Sequence, residues 1–161
     1  MYWAIRKMTK DDIKQVQDIA KKSWDVTYDK IIPRHIQDNF LKTYYSNEMM
    51  HRRLKYSLVL VAEIEHQVVG FANFSYVNDQ GEAELSAIYL YPHLQGHGIG
   101  TALLQKSIET LENVKKIYVN VEKENNIGRS FYEAKGFKVI KQFDENIDGH
   151  ILKTIRMCLT L

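Results

Sequence analysis

Gln95-Gly96-His97-Gly98-Ile99-Gly100-Thr101 is the stretch on which the reading of this chain turns, because an apolar strand pattern ends before it and an amphipathic helix begins within it. Upstream, Ala83 to Tyr91 reads as a strand, with Leu85, Ile88 and Leu90 apolar and Pro92 ending it. Downstream, Ile99, Leu103, Leu104, Ile108 and Leu111 recur at helical spacing. Glycines at three alternate positions let the backbone approach a ligand closely. The first N–H groups of the following helix point at that ligand with a favourable dipole. The expected guest is a polyanion, and a turn with almost no side chains suits a pyrophosphate.

Spacing narrows the choice. A dinucleotide fingerprint G-x-G-x-x-G requires glycine where Thr101 or Leu103 stands, and a Walker A loop requires the absent G-K-[ST]. The pattern Gln/Arg-x-x-Gly-x-Gly is met by Gln95, Gly98 and Gly100, and it resembles the acyl-coenzyme A pyrophosphate loop of the GNAT superfamily of N-acetyltransferases. A second segment, from Asn125 to Phe137, looks like that family's N-x-x-A-x-x-F-Y-x-x-x-G-F, with Gly128 at the alanine position. The two motifs stand in the family's order, separated by one helix and one strand. The resemblance extends over nearly the whole chain, to the bacterial small-molecule type.

At 161 residues the chain is expected to form a single domain, 1–161, with a core that needs no metal or disulfide. Charges nearly cancel at +2, so the totals carry no footprint for duplex nucleic acid. One cysteine, Cys158, cannot form an internal disulfide, which favours a reducing compartment. The opening residues alternate like a strand and do not read as a signal peptide, and no apolar run is long enough to cross a bilayer. The expectation is a soluble cytoplasmic protein without membrane or nucleic-acid partners.

Along the chain the pattern predicts a strand from Tyr2 to Met8, then a helix capped by Thr9 with Ile13, Val16, Ile19 and Ala20 buried, breaking around Trp24 to Pro33. Helical stretches follow at Arg34 to Tyr45 and Glu48 to Tyr56. Strands Ser57 to Glu65 and Gln67 to Tyr76 are joined by a tight turn at Glu65-His66. The turn Asn78-Asp79-Gln80-Gly81 leads to strand Glu82 to Tyr91. After the glycine loop come helix Gly98 to Glu112, strand Lys115 to Glu122, helix Asn125 to Lys135 and strands Phe137 to Asp144 and His150 to Leu159. Three successive strands with short turns argue for an antiparallel meander. The fold class is α/β of the α+β kind: a mixed, mostly antiparallel central sheet flanked by helices. The resemblance adds that the sheet splays at a cofactor cleft.

In the family that this sequence resembles, acetyl-CoA lies where the strand before the loop and the strand after the next helix part. The resemblance then implies that the backbone around Ile88, Tyr89 and Leu90 holds the pantetheine arm. Gln95, Gly96, His97, Gly98, Ile99, Gly100 and Thr101 hold the pyrophosphate, and Asn125 and Arg129 lie beside the cofactor. It assigns Tyr132 as the acid that protonates the departing thiolate; the same residue also reads as a packed core aromatic on an amphipathic helix. Attack on a thioester needs a neutral amine, and an alkylamine with pKa about 10.4 is neutral in fewer than roughly one molecule in a thousand at pH 7. Glu84 is the first candidate to take that proton and Glu82 the second, either directly or through water. Both alternate with Ala83 and Leu85, and both also read as a solvated acidic pair. Asn120 stands where some relatives carry a glutamate base. Cys158 reads as an inert buried thiol, so direct transfer is expected. His93 and His97 lack neighbouring ligands, and no metal site is expected.

The acceptor is least determined. Trp24, Tyr28 and Ile32 fall in a segment resembling the W-x-x-T-Y-x-x-x-x-P pattern of small-molecule members. With Asp25 or Asp29 as partners for a cationic amine, they could shape a pocket or simply pack on the sheet. Tyr44, Tyr45 and Tyr76 could extend that wall. Glu84 to Leu90 is similar to bacterial polyamine acetyltransferases, so a small polyamine-like primary amine ranks first and a peptide or protein α-amine second. A non-catalytic CoA-sensing module and a nucleotide-binding module are the readings from other classes. Relatives are often dimers, and residues 137–161 could supply a partner edge.

Overall fold

The computed structural model describes residues 2–161. Strand β1 is Ala4–Lys7, followed by helices α1 (Ile13–Thr27), α2 (Arg34–Tyr44) and α3 (Asn47–Tyr56). The meander β2 (Ser57–Ile64), β3 (Gln67–Ser75) and β4 (Glu82–Leu90) comes next. Helix α4 (Ile99–Thr110), β5 (Lys116–Glu122), α5 (Asn126–Ala134), β6 (Lys138–Ile147) and β7 (His150–Thr160) complete the chain. The seven strands form one sheet in the order β1-β2-β3-β4-β5-β7-β6. Only β4 and β5 run parallel; every other neighbouring pair is antiparallel, as the meander predicted.

Local chemistry explains these boundaries. Glu65 and His66 both take positive φ, 50° and 66°, the hand that matches the twist of a two-residue hairpin. Before α1, the N–H of Thr9 donates to Asp12 Oδ2 at 2.8 Å, and Arg6 donates twice to the same carboxylate, at 2.8 and 2.9 Å. The first turn, Lys10–Asp12, is therefore a 3-10 turn, and the α-helix starts later than the sequence reading placed it. The expected stripe of Ile13, Val16, Ile19 and Ala20 is buried. The break expected from Trp24 to Pro33 begins after Thr27, so α1 still includes Trp24. Its indole stands one turn after Ala20 on the same face, stacks on Phe40 with ring centroids 4.2 Å apart, and carries the helix on to Thr27.

Helices α1 and α3 cover one face of the sheet, over Val59, Val61, Val68, Phe71 and Ala87. Helix α4 covers the other, over Leu60, Ala72, Leu85, Leu90 and Ile117, where Tyr132 of α5 also packs. The change of face along β4 has a cause. Asn73 lies opposite Ala87 and Phe74 opposite Leu85, so Ser86 is an extra residue. This bulge sends Ala83 and Leu85 to one core and Ala87 to the other. Asn73 fixes it: its side-chain amide donates to Ser57 Oγ and Leu58 O, and its backbone carbonyl accepts the Ser86 hydroxyl at 3.0 Å.

Candidate active site

The parallel ladder between β4 and β5 is short. It runs from Glu82 opposite Lys116 to Leu85 opposite Val119 and stops there. Beyond it the two strands part, and a cavity of about 360 Å³ opens between Ser86–Leu90 on one side and Asn120, Val121 and Asn125 on the other. Paired residues alternate along an antiparallel strand between those bonded to the neighbour and those turned away. Tyr91 N–H bonds to Val69 O, so Ile88 and Leu90 turn their amide groups toward the gap. The Leu90 carbonyl is already taken by the Ser23 hydroxyl at 2.7 Å, and the rest of that edge faces the cavity.

At one end stands the glycine loop. Pro92–Leu94 forms a 3-10 turn anchored by buried Leu94. Gly96 and Gly98 then take φ of 83° and 88°, a region that side-chain-bearing residues rarely adopt. Nothing lies within 4 Å of the side Gly96 would extend, and Gly98 caps α4 in the left-handed conformation. The Ala102 N–H is the first to reach back into the helix, to Gly98 O, so the N–H groups of Ile99, Gly100 and Thr101 have no intrahelical acceptor. Such an end suits a diphosphate. Gly100 has a second duty: an added Cβ would lie 3.2 Å from the Phe131 ring, so glycine also lets α4 and α5 pack closely.

Gln95, Gly96, Gly98, Gly100, Thr101 and Asn125 all line the cavity. Three predicted cofactor residues do not. His97 is exposed, and the Ile99 side chain is fully buried and pins the start of α4. Arg129 donates to Lys123 O at 2.9 Å. Asn125 caps α5 by accepting the Gly128 N–H at 3.0 Å, as expected. An alanine Cβ at 128 would meet the Asn125 amide at 2.7 Å, which accounts for glycine at the position where the family motif has alanine.

Tyr132 is at once a core aromatic and a lining residue. It is 8% exposed, packs edge-on against Phe131 and Phe137, and still borders the cavity. Burial, and secondarily Tyr28, pushes its phenol well above the ordinary range, so it stays protonated at neutral pH.

Glu84 and Glu82 lie on the face opposite Ala83 and Leu85, as alternation required, and neither borders the cavity. Arg156 ion-pairs with Glu84, donates to Asn120 Oδ1 at 2.8 Å and sits 4.7 Å over the Tyr118 ring. Glu82 accepts the Tyr118 hydroxyl at 2.8 Å. Arg156 was invisible to sequence reasoning, because only the β5–β7 register places it opposite Asn120.

On the acceptor side, Tyr28 lines the cavity together with Ser23 and Thr27. Trp24 and Ile32 lie behind the wall, in an apolar cluster with Ile36 and Leu152; the Trp24 indole donates to the Tyr89 hydroxyl at 3.1 Å. Ser23 and Thr27 escaped notice because both are polar, and the apolar stripe of Ile13, Val16, Ile19 and Ala20 gave no sign that its face continues to them. The tyrosine wall needs correction. Tyr44 and Tyr76 point to solvent, and Tyr45 is buried under the Arg53 guanidinium in the α1–α3 core. Asp25 is claimed by Arg34 and Lys21, and Asp29 is exposed. Cys158 is half-buried, less enclosed than its apolar strand predicted.

A family model described as the acetyltransferase (GNAT) family matches residues 13–137. Similar proteins include a spermidine N(1)-acetyltransferase from Thermoplasma acidophilum, 28% identical over 153 residues that span 90% of this chain and 91% of that one. An uncharacterized N-acetyltransferase, YuaI, from Bacillus subtilis is 32% identical over 157 residues, 94% of this chain and 89% of its own. Among solved structures, the PaiA N-acetyltransferase from Thermoplasma acidophilum in complex with coenzyme A matches with a TM-score of 0.87 and 25% identity, covering 100% of both chains.

Proposed function

The chain belongs to the acetyltransferase (GNAT) family, and from that premise we propose that it acetylates a small, polyamine-like primary amine. It is an N-acetyltransferase, and its donor is acetyl-CoA. Bound acetyl-CoA supplies an activated acetyl thioester. The loop amides from Gly96 to Thr101 would hold its diphosphate, and the turned-out amide groups of Ile88 and Leu90 would hold its arm like an added strand. Both are fixed backbone groups that lose no rotamer freedom on binding.

Transfer forms a C–N bond and breaks the thioester C–S bond. Tyr132, kept neutral by burial, would deliver its proton to the departing sulfur. The ammonium of the incoming amine must first lose a proton, and Glu84 would take it through a water. For Glu84→Gln the rate would fall at neutral pH and recover at alkaline pH, where the amine is already neutral. An unchanged profile would reject this assignment.

One observation carries the choice of acceptor. The chain is 28% identical to a spermidine N(1)-acetyltransferase over 90% of its length. That similarity supports a cationic, polyamine-like acceptor. The test is acetyl transfer from acetyl-CoA to a panel of monoamines, diamines, polyamines and a peptide with a free α-amine. Higher kcat/KM for the polyamines is expected. Preference for the peptide, or no transfer to any amine, would overturn the reading.

A further inference from the structure

The parallel ladder stops at Leu85–Val119, and Asn120 is the next residue of β5. It is exposed, and it lines the cavity where the two strands begin to part. Arg156 stands opposite it on β7 and donates from Nη1 to Asn120 Oδ1 at 2.8 Å. A guanidinium has donors only, so the amide oxygen must be the atom turned to Arg156. Asn120 Nδ2 is then the atom left for a ligand, with two hydrogens and, among the described residues, no acceptor for them.

The guanidinium is itself held in place. It ion-pairs with Glu84, and its central carbon lies 4.7 Å from the centre of the Tyr118 ring. Tyr118 in turn donates to Glu82 Oε2 at 2.8 Å. Two carboxylates and one ring thus fix an arginine, and the arginine fixes one amide. A cation on the amide oxygen polarises the group and strengthens its N–H as a donor. Such a donor suits an atom that gains negative charge and suits an ammonium poorly. Among the described residues no charged side chain lines the cavity, so a charge that develops inside it must be met by oriented dipoles.

The direction of the cavity identifies that atom. The glycine loop lies beyond Leu90, and the amide groups turned to the gap lead from Leu90 to Ile88, towards the end of the ladder. With the diphosphate at the loop and the arm along that edge, the acyl end of the donor would arrive beside Asn120. We propose that the Asn120 amide N–H holds the acetyl oxygen during transfer and that Arg156 is the positioning residue that orients it. The assignment rests on the acetyl-transfer reading of the same cavity and is independent of which amine accepts. As the amine nitrogen bonds to the carbonyl carbon, an electron pair moves onto the oxygen. It returns when the C–S bond breaks and the sulfur takes the Tyr132 proton. Asn120 stabilises the charge in between, and Arg156 touches no reacting atom.

The test binds acetyl-CoA with an isotope-labelled carbonyl to the wild type, Asn120→Asp and Asn120→Ala, with no acceptor present. The aspartate keeps the shape and the bond to Arg156 while removing the donor hydrogens. Difference infrared spectra should show the carbonyl stretch at lower frequency in the wild type than in either variant, because a donated hydrogen bond weakens C=O. Equal frequencies in all three overturn the proposal. With spermidine, kcat should fall about a hundredfold in Asn120→Ala, the scale for one such donor, while the Kd for acetyl-CoA changes little. A loss confined to the KM for spermidine would make Asn120 an acceptor contact and overturn the assignment. Arg156→Met should lower kcat on its own and add little to Asn120→Ala, since the two act as one unit. Additive losses overturn the positioning role. A wild type that acetylates no amine yet shows the carbonyl shift sinks the proposed function and leaves this inference standing.

Discussion

Tyr132 is both a core aromatic and a cavity residue, so its ring and its hydroxyl can be separated by one substitution. Tyr132→Phe keeps the ring and removes the proton. Turnover should fall about tenfold to a thousandfold while the Kd for acetyl-CoA shifts little, since an interaction made only late in the reaction has been lost. Rapid-mixing kinetics and calorimetry would check the two halves, and an equal loss in both would mark a packing role. The raised pKa also fixes a sign. The phenol remains a donor through the ordinary tyrosine range near 10, so the wild-type rate should show no loss from its ionisation up to about pH 10. Tyr132 was legible through the resemblance of Asn125 to Phe137 to the family's second motif. Arg156 was not, because its meaning depends on what the register puts beside it.

Helices and strands were legible where period and punctuation agreed, and their ends were not. The slip in β4 left a trace: Leu85 and Ile88 are both apolar but three apart, an interval that an unbroken strand cannot keep on one face. The exact end of α1 left none, since buried Ser23 and half-buried Thr27 look polar until the helix that carries them is known. Two predictions concern elements. Gly98→Val forces a branched residue into a φ of 88° at the cap of α4, so the affinity for acetyl-CoA should drop at least about tenfold, with some loss of stability. Unaltered binding by calorimetry would contradict the role of the loop. Asp12→Ala should destabilise by about 2 kcal/mol, since it removes the capping acceptor and the partner of Arg6. Arg6 first, then the Thr9 N–H, opposes the effect of burial and holds the Asp12 carboxyl below its usual range. Its stabilisation is therefore complete above the unfolded value near 3.8 and is lost as pH falls through the lower folded value. The difference in Tm between wild type and variant should be constant near neutrality and shrink in strong acid.

The whole molecule is one sheet whose two parts, β1 to β4 and β5 to β7, meet along a single parallel ladder. Among the described residues no helix is long and apolar enough to cross a membrane. Ligand binding should register globally. At a hundredfold excess over Kd, acetyl-CoA should add about 2.7 kcal/mol of stability, while ATP, which has the phosphates but no arm for β4, should add much less. A melting curve that responds to ATP and not to acetyl-CoA would contradict the site. The ladder itself is four residue pairs long, from Glu82–Lys116 to Leu85–Val119. A guest seated between the two lips of the gap would therefore brace the seam between the two blocks of strands. Occupancy and mechanical cohesion rise together, and the seam should breathe most freely once product has left.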